Sequence, residues 1–281
     1  MTEPTETEKL AKSINDSGFP FQIGLKMLTN SVHGWRATLT EHPWRDQLNG
    51  SDKFIDFVAT YTGDLVNLVT ECKRARNTEW FFLRESVESN HSENRLTVRA
   101  RVLGFTLGNS LVNDWMDVQF IPGSPEANFC VMRKNTTESG SGQYSQELLE
   151  KTASEIVRAT QALTEQQSAF HSVQRPLHRV YIPIIVTNAQ MYICDAAWEK
   201  VNLDSGEVEF SAVRPIKFIR FRKSFGVPDL RNKAGHDIAT VMDVSANTVI
   251  VVQAAAYLEF LAQWNLSMPF SSHLKDALGV K

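Results

Sequence analysis

Residues 54–83 read FIDFVATYTGDLVNLVTECKRARNTEWFFL and decide the fold, because they contain two strand patterns in succession. Residues 53–60 and 65–73 are both rich in β-branched, aromatic and apolar side chains, a composition typical of β-strands. The four residues between them read Tyr-Thr-Gly-Asp and favour a turn. The stretch therefore predicts an antiparallel hairpin centred near Gly63.

The register of this hairpin brings three chemically active side chains together. Residue 56 is expected to pair with residue 70 or 71, which places Asp56 beside Glu71, with directly paired Cβ atoms about 5 Å apart. Side chains alternate along a strand, so Glu71 and Lys73 point to one face while Thr70 and Cys72 point to the other. Of the 13 lysines in the chain, only Lys73 has an acidic residue two positions before it. We therefore predict a site of two carboxylates and one amine.

The composition predicts a globular protein in the cytoplasm. The chain has 281 residues, and its hydrophobic content of 42% is ample for a packed core. A net charge of −3 argues against a generally basic nucleic-acid coat protein, although a local basic patch remains compatible with it. The first ten residues are polar and acidic, unlike a signal peptide. The longest apolar tract, 248–262, is interrupted by Gln253 and Glu259 and is too short to cross a bilayer.

The segments around the hairpin predict a mixture of helices and strands. Residues 20–32 repeat apolar side chains at helical spacing, and residues 35–45 read as a first strand. Residues 146–170 are expected to form the longest helix. The run RVYIPIIVT at 179–187 is typical of a strand covered on both faces. Because a helix precedes this strand, we expect it to lie parallel to the strand that carries Glu71.

The sequence resembles the restriction-endonuclease-like, or PD-(D/E)XK, nuclease superfamily in the order of its elements. That order is a helix, three antiparallel strands with Asp and then Glu-x-Lys, a helix and a strand. The resemblance is carried by SGFPFQIGLKML at 17–28, FIDFVA at 54–59, VTECKR at 69–74 and TEWFFL at 78–83. It covers about a quarter of the chain well, and the later stretch 179–194 is similar to stand-alone members more loosely. It implies an α/β fold with a restriction-endonuclease-like core, in which helices flank a mixed central sheet.

The resemblance also implies roles for individual residues. Asp56 and Glu71 would bind a divalent metal ion, Mg²⁺ or Mn²⁺, and Lys73 would position or activate the attacking water. Members often carry a further acid on the first helix, where this chain has Gln22, an amide that can contact a metal ion or water through its oxygen but adds no charge. Phosphodiester cleavage needs a hard cation to screen phosphate charge and to supply hydroxide near neutral pH. An ammonium group beside such a cation is expected to have a depressed pKa.

These observations predict a metal-dependent nuclease that hydrolyses phosphodiester bonds of nucleic acid, with DNA as the expected substrate, in restriction, repair or defence against foreign DNA. Arg74 and Arg76 follow the Glu-x-Lys and are placed to contact a substrate phosphate. A homodimer is compatible with the cutting of two strands. The alternative is a catalytically weak or inactive module on the same scaffold that binds nucleic acid or protein, which the amide at position 22 and the acidic net charge favour. A structural interaction protein without affinity for metal or nucleic acid is a third possibility.

We expect a single domain with three parts. Residues 1–17 form a polar N-terminal segment, residues 18–187 form the nuclease core, and residues 188–281 form a C-terminal α/β extension packed on the same domain. The core carries a β-rich insertion at about 76–142, where glycine, asparagine and proline turns separate short strand patterns. Residues 187–194 are expected to form a tight hairpin between two strands of the same sheet.

Overall fold

The computed structural model describes residues 5–61, 65–84, 97–107, 110–119, 124–134, 143–145, 147–169, 179–196, 198–225 and 246–264. The helices are α1 (Glu6–Asp16), α2 (Phe19–Ser31), α3 (Glu147–Ser168) and α4 (Tyr257–Ala262), with short 3₁₀ turns at Trp198–Lys200 and Ala254–Ala256. The strands are β1 (Trp35–Thr38), β2 (His42–Asp46), β3 (Ser51–Ile55), β4 (Phe57–Tyr61), β5 (Val66–Lys73), β6 (Thr78–Leu83), β7 (Thr97–Leu107), β8 (Ser110–Gln119), β9 (Glu126–Ala127), β10 (Phe129–Lys134), β11 (Gln143–Ser145), β12 (Arg179–Thr187), β13 (Gln190–Ala196), β14 (Phe210–Pro215), β15 (Phe218–Lys223) and β16 (Asn247–Gln253).

A mixed central sheet of nine strands organises the molecule, which confirms the predicted α/β class. Seven strands follow the order β1-β4-β5-β12-β16-β15-β9, while β7 pairs with β12 and β8 pairs with β7. Strand β5 is antiparallel to β4 and parallel to β12, as the sequence predicts. Strand β12 has the predicted bounds, and all but its first residue are buried.

Helices cover both faces of the central sheet because its strands alternate apolar side chains between two cores. Val69 of β5 packs with Leu149 of α3 in the first core. Leu68, its neighbour along the strand, packs with Leu25 of α2 and Tyr257 of α4 in the second core. The two-residue period of β5 thus fixes which helix lies on which face. None of the helices in the described ranges is long and apolar enough to span a membrane.

A second sheet, of order β11-β10-β6-β13-β14, packs against the first core. Strand β6 follows β5 and strand β13 follows β12, and β6 and β13 are parallel in this second sheet just as β5 and β12 are in the first. The two connections meet where the Ala75 N–H donates a 2.6 Å hydrogen bond to Oδ1 of Asn188. The predicted hairpin at 187–194 is therefore wrong, because β12 and β13 each pair with other neighbours and belong to different sheets.

The strands of the predicted β-rich insertion are divided between the two sheets. Strands β6, β10 and β11 belong to the second sheet, whereas β7 and β8 join the central sheet at β12. In the C-terminal part, β15 and β16 extend the central sheet as expected, but β13 and β14 do not. The predicted domain boundaries remain a prediction, although the insertion has no sheet of its own in the described ranges.

A two-stranded ribbon of β2 and β3 replaces part of the predicted first strand. The prediction of one strand over 35–45 is wrong because Leu39 and Glu41 adopt φ angles of 47° and 49°, in the left-handed region that a strand cannot contain. The expected strand over 53–60 is also interrupted, at Asp56, between β3 and β4. The chain leaves the ribbon and enters the central sheet at that residue.

A buried carboxylate ties the ribbon to α3. The Asp46 side chain is fully buried, and its Oδ2 lies 3.0 Å from Nζ of Lys53 and 3.0 Å from Nη2 of Arg158. Lys53 also pairs with Glu155 of α3 at 3.0 Å. Burial alone would raise the pKa of Asp46, but hydrogen bonds from Arg158 and Lys53 lower it to about 2. The network places β2 and β3 against the long helix.

We predict that Asp46→Asn lowers the free energy of unfolding by about 2–4 kcal/mol, because the substitution leaves two partly buried cations without their shared counter-charge. Urea unfolding at pH 7 measures this loss. The matched control is Asp52→Asn, which breaks the Asp52 pair with Arg45 at 3.7 Å, where both side chains are at least 70% exposed. The control should change stability by less than about 0.5 kcal/mol. Equal effects of the two substitutions would contradict the structural role of Asp46.

Candidate functional site

Asp56 is the residue around which the candidate site is built. Its backbone carbonyl accepts hydrogen bonds from the Glu41 N–H at 3.1 Å and from Nε2 of Gln22 at 3.0 Å. Its carboxylate oxygen Oδ2 accepts the Cys72 N–H at 2.6 Å. Because the ribbon ends at Ile55 and the central sheet begins at Phe57, the backbone carbonyl of Asp56 is available for the contacts with Gln22 and Glu41. The carboxylate is therefore held at the end of β5.

Glu71 and Lys73 lie beside Asp56, as the predicted register requires. Phe57 pairs with Thr70, so the next position places Asp56 next to Glu71. The turn near Gly63 lies outside the described residues. Nζ of Lys73 lies 2.8 Å from Oε1 of Glu71. The structure thus brings the two acids and the amine together, while their catalytic roles remain predictions.

The partly buried position of the site shifts the pKa values of Asp56 and Lys73. Burial and then repulsion from Glu71 raise the pKa of Asp56 to about 7, against the hydrogen bond from Cys72, which acts in the opposite direction. Burial alone would lower the pKa of Lys73, but attraction to Glu71 and Asp56 raises it above its ordinary value. The depressed pKa of Lys73 that is predicted from the sequence applies only when a cation is bound beside its ammonium group. Without a cation, the carboxylates hold Lys73 in its protonated form.

Gln22 contacts the site through its nitrogen. The side chain is buried, and Nε2 donates to the carboxylate of Glu41 and to the carbonyl oxygen of Asp56. Both partners are acceptors, so the amide nitrogen must face them. Gln22 therefore positions Asp56 and Glu41, and the predicted contact of its oxygen with a metal ion or water stays a prediction.

Glu41 is a third acid at this site, and the sequence prediction missed it. Repulsion from Glu41 contributes to the raised pKa of Asp56. The single strand predicted over 35–45 concealed Glu41, because that reading assigns it to an ordinary sheet position. Pro43 is the sequence signal against that reading, since proline removes a hydrogen-bond donor from a strand interior.

Asp56 and Glu71 are the residues suited to hold a metal ion. Within the described part of the chain, no group of three or more His, Cys, Asp or Glu side chains has the arrangement of a metal site. Two carboxylates that repel one another nevertheless fit a divalent cation, because its charge removes the repulsion and its preferred ligands are oxygens. Asp56 and Glu71 supply such oxygens, and their role as metal ligands remains a prediction.

A cleft of about 730 Å³ opens beside Asp56. Polar and charged residues in its lining include Gln22, Asp56, Arg74, Arg76 and Lys134. The predicted phosphate-binding arginines thus share one cleft with Asp56. They also contact Asp16 at the end of α1, with Nη1 of Arg76 at 2.9 Å and Nη2 of Arg74 at 3.6 Å from Oδ1 of Asp16. Glu71 and Lys73 are not among the described residues that line this cleft.

We predict that Asp56→Asn raises the free energy of unfolding in EDTA at pH 8 by roughly 2–4 kcal/mol. The folded-state pKa of Asp56, about 7, lies above its ordinary value of 3.8, so its contribution to stability is complete below pH 3.8 and is lost as the pH rises through 7. Urea unfolding of both proteins between pH 4 and pH 8 measures the difference. The gain should shrink toward acidic pH, and a constant difference across this range would contradict the raised pKa.

Comparisons of the chain with protein-family models, with curated proteins and with solved structures give no significant match. No relative therefore supplies a function for Asp56, Glu71 or Lys73. The chemistry of this site follows from its own side chains, their contacts and the cleft beside them.

Proposed function

We propose that this protein is a metal-dependent nuclease that hydrolyses phosphodiester bonds of nucleic acid, with DNA as the expected substrate, in the cytoplasm. Asp56 and Glu71 hold Mg²⁺ or Mn²⁺, and Lys73 positions or activates the attacking water. Arg74 and Arg76 contact a substrate phosphate. The observation that carries this proposal is the meeting of Asp56 with the Glu71–Lys73 pair at the end of β5. The cleft beside Asp56 has a rim that carries Arg74, Arg76 and Lys134.

The topology supports a restriction-endonuclease-like core within the mixed α/β fold. Helix α2 is followed by β1, β4 and β5 as three antiparallel neighbours in the central sheet, with the β2–β3 ribbon between β1 and β4. Helix α3 then precedes β12, which lies parallel to β5. We infer from this order that residues 18–187 include the core that the sequence resembles.

In this proposal the two carboxylates hold the cation, and Lys73 acts on the attacking water. A bound cation would screen the phosphate and make hydroxide available near neutral pH. Without a cation, burial and repulsion from Glu71 raise the pKa of Asp56 to about 7, and a bound cation would favour its ionised form. Glu71 holds the Lys73 amine at 2.8 Å while no cation is bound. If Glu71 held a cation, Lys73 would lose part of this pairing, and its amino group would be available to hydrogen-bond the attacking water.

A nucleic-acid-binding module without turnover is the second candidate. Two observations keep it as the alternative: position 22 holds an amide whose nitrogen contacts Glu41 and Asp56, and the chain has a net charge of −3. Both candidates would bind nucleic acid at the same rim, but only the nuclease requires a metal ion on Asp56 and Glu71. Titration of Mn²⁺ against the protein by calorimetry separates them, because the module predicts no binding that depends on these two carboxylates.

We predict that the protein cuts DNA in the presence of Mg²⁺ or Mn²⁺ and not in EDTA. Plasmid, single-stranded DNA and RNA substrates measure the cutting and its preference. Glu71→Gln and Lys73→Met should each reduce the rate at least about 100-fold, since each removes a group that acts on the metal ion or on the water.

The matched controls are Glu259→Gln and Lys217→Met, which break an exposed pair at 2.7 Å with the same charges. These controls should retain the rate of the unmodified protein. Metal-dependent cutting that persists unchanged in Glu71→Gln and Lys73→Met would overturn the assignment of the site.

A further inference from the structure

The rim of the cleft contains an ion pair at a position suited to a phosphate. One oxygen of Asp16 lies 2.9 Å from Arg76 and 3.6 Å from Arg74, so a single carboxylate is shared by two guanidinium groups. The longer distance exceeds that of a hydrogen bond, and Nη2 of Arg74 is buried without a hydrogen-bond partner among the described residues. A phosphate offers more acceptor oxygens than the one that Asp16 presents here.

A second buried donor lines the same cleft. Trp80 is 1% exposed, and its indole N–H has no hydrogen-bond partner within the described ranges. Buried donors without acceptors are rare in folded proteins and mark places where a ligand or water completes the bonding. Arg74 and Trp80 therefore both indicate a ligand that is rich in hydrogen-bond acceptors.

The helix that carries Asp16 is weakly attached. None of the residues of α1 is buried, and its apolar Leu10 and Ile14 are 61% and 52% exposed. The Asp16–Arg76 pair is also largely exposed, and pairs of that kind contribute little to stability. A phosphate can therefore displace Asp16 without breaking the packed core.

The remaining lining favours a single strand over a duplex. Phe19 lies in the lining, is 57% exposed and presents a ring on which a base can stack. The described lining has three cations, Arg74, Arg76 and Lys134. Three cations offer few phosphate contacts, and a cleft of about 730 Å³ lies in the range of roughly 300–1,000 Å³ typical of small-ligand sites, which suits one or two nucleotides of a single strand.

We propose that the cleft binds single-stranded nucleic acid, with one phosphate on Arg74 and Arg76 in place of Asp16 and one base stacked on Phe19. The proposal rests on the proposed function in assigning nucleic acid to the cleft. It adds the strand preference and identifies Asp16 as the group that the substrate must displace.

Fluorescence anisotropy in EDTA and low salt tests this proposal without any turnover, with a short labelled single strand and a duplex of the same length as probes. The single strand should bind more tightly than the duplex. Asp16→Asn should strengthen its binding roughly twofold to fivefold, because the arginines no longer have an internal competitor. The matched control is Glu6→Gln, which removes one negative charge from the same helix but contacts only Lys9 among the ion pairs described. This control should leave the affinity unchanged.

The stacking role of Phe19 has its own matched pair of variants. Phe19→Ala should weaken binding of the single strand by roughly fivefold or more. Ile23→Ala, on the same helix and 54% exposed but outside the described lining, should not. Thermal unfolding of each variant confirms that α2 is intact.

The outcomes separate this inference from the proposed function. Equal affinity for duplex and single strand, no binding of either, or unchanged affinity in both Asp16→Asn and Phe19→Ala overturns the inference, whether or not the protein cuts DNA. Tight, Asp16-sensitive binding of the single strand without any metal-dependent cutting retains the inference and overturns the nuclease.

Discussion

The arrangement of the site depends on the interruption of the strand at Asp56. A residue inside a strand uses its backbone groups for the ladder, but the carbonyl of Asp56 accepts from Gln22 and Glu41 instead. This leaves the carboxylate free to turn toward the Cys72 N–H at the end of β5. The helix α2, the turn before β2 and the strand β5 thus meet at one residue. The β4–β5 register already places Asp56 beside Glu71, and the interruption adds the contacts of the Asp56 carbonyl with Gln22 and Glu41.

The convergence is electrostatically unfavourable, which is the pattern expected of a functional site. Asp56 is partly buried near Glu71 and Glu41, and its pKa rises to about 7 in consequence. Asp46, which is equally an acid at the edge of the ribbon, has its pKa lowered to about 2 because two cations contact it. Asp46 is a structural carboxylate with two cations as counter-charges, whereas Asp56 lies beside other carboxylates. The two packed cores stabilise the fold enough to hold Asp56 in place.

Local patterns predicted the elements that have a strong period, and long-range contacts account for what they missed. Strand β12 has its predicted bounds, and the pairing of Phe57 with Thr70 agrees with the predicted register. By contrast, the second sheet depends on the meeting of β6 with β13, which are more than 100 residues apart. The position of Glu41 depends on its contact with Gln22 of α2 and on its own left-handed φ angle, and neither can be predicted from a hydrophobic repeat. The coarse fold and the three central residues were therefore accessible from sequence, whereas the supporting contacts were not.

The pairing of Asp16 with Arg74 and Arg76 reconciles an acidic chain with an anionic ligand. A net charge of −3 describes the whole surface, but recognition depends on which cations can exchange their partners. Buried pairs such as those of Asp46 cannot exchange without loss of structure, whereas the Asp16–Arg76 pair is about half exposed and α1 has no buried residue. The rim can therefore become cationic without any change in net charge. Because Asp16, Arg74 and Arg76 have contacts separate from those of the Asp56–Glu71 pair, substitutions can change the proposed affinity for a strand and the proposed cleavage independently.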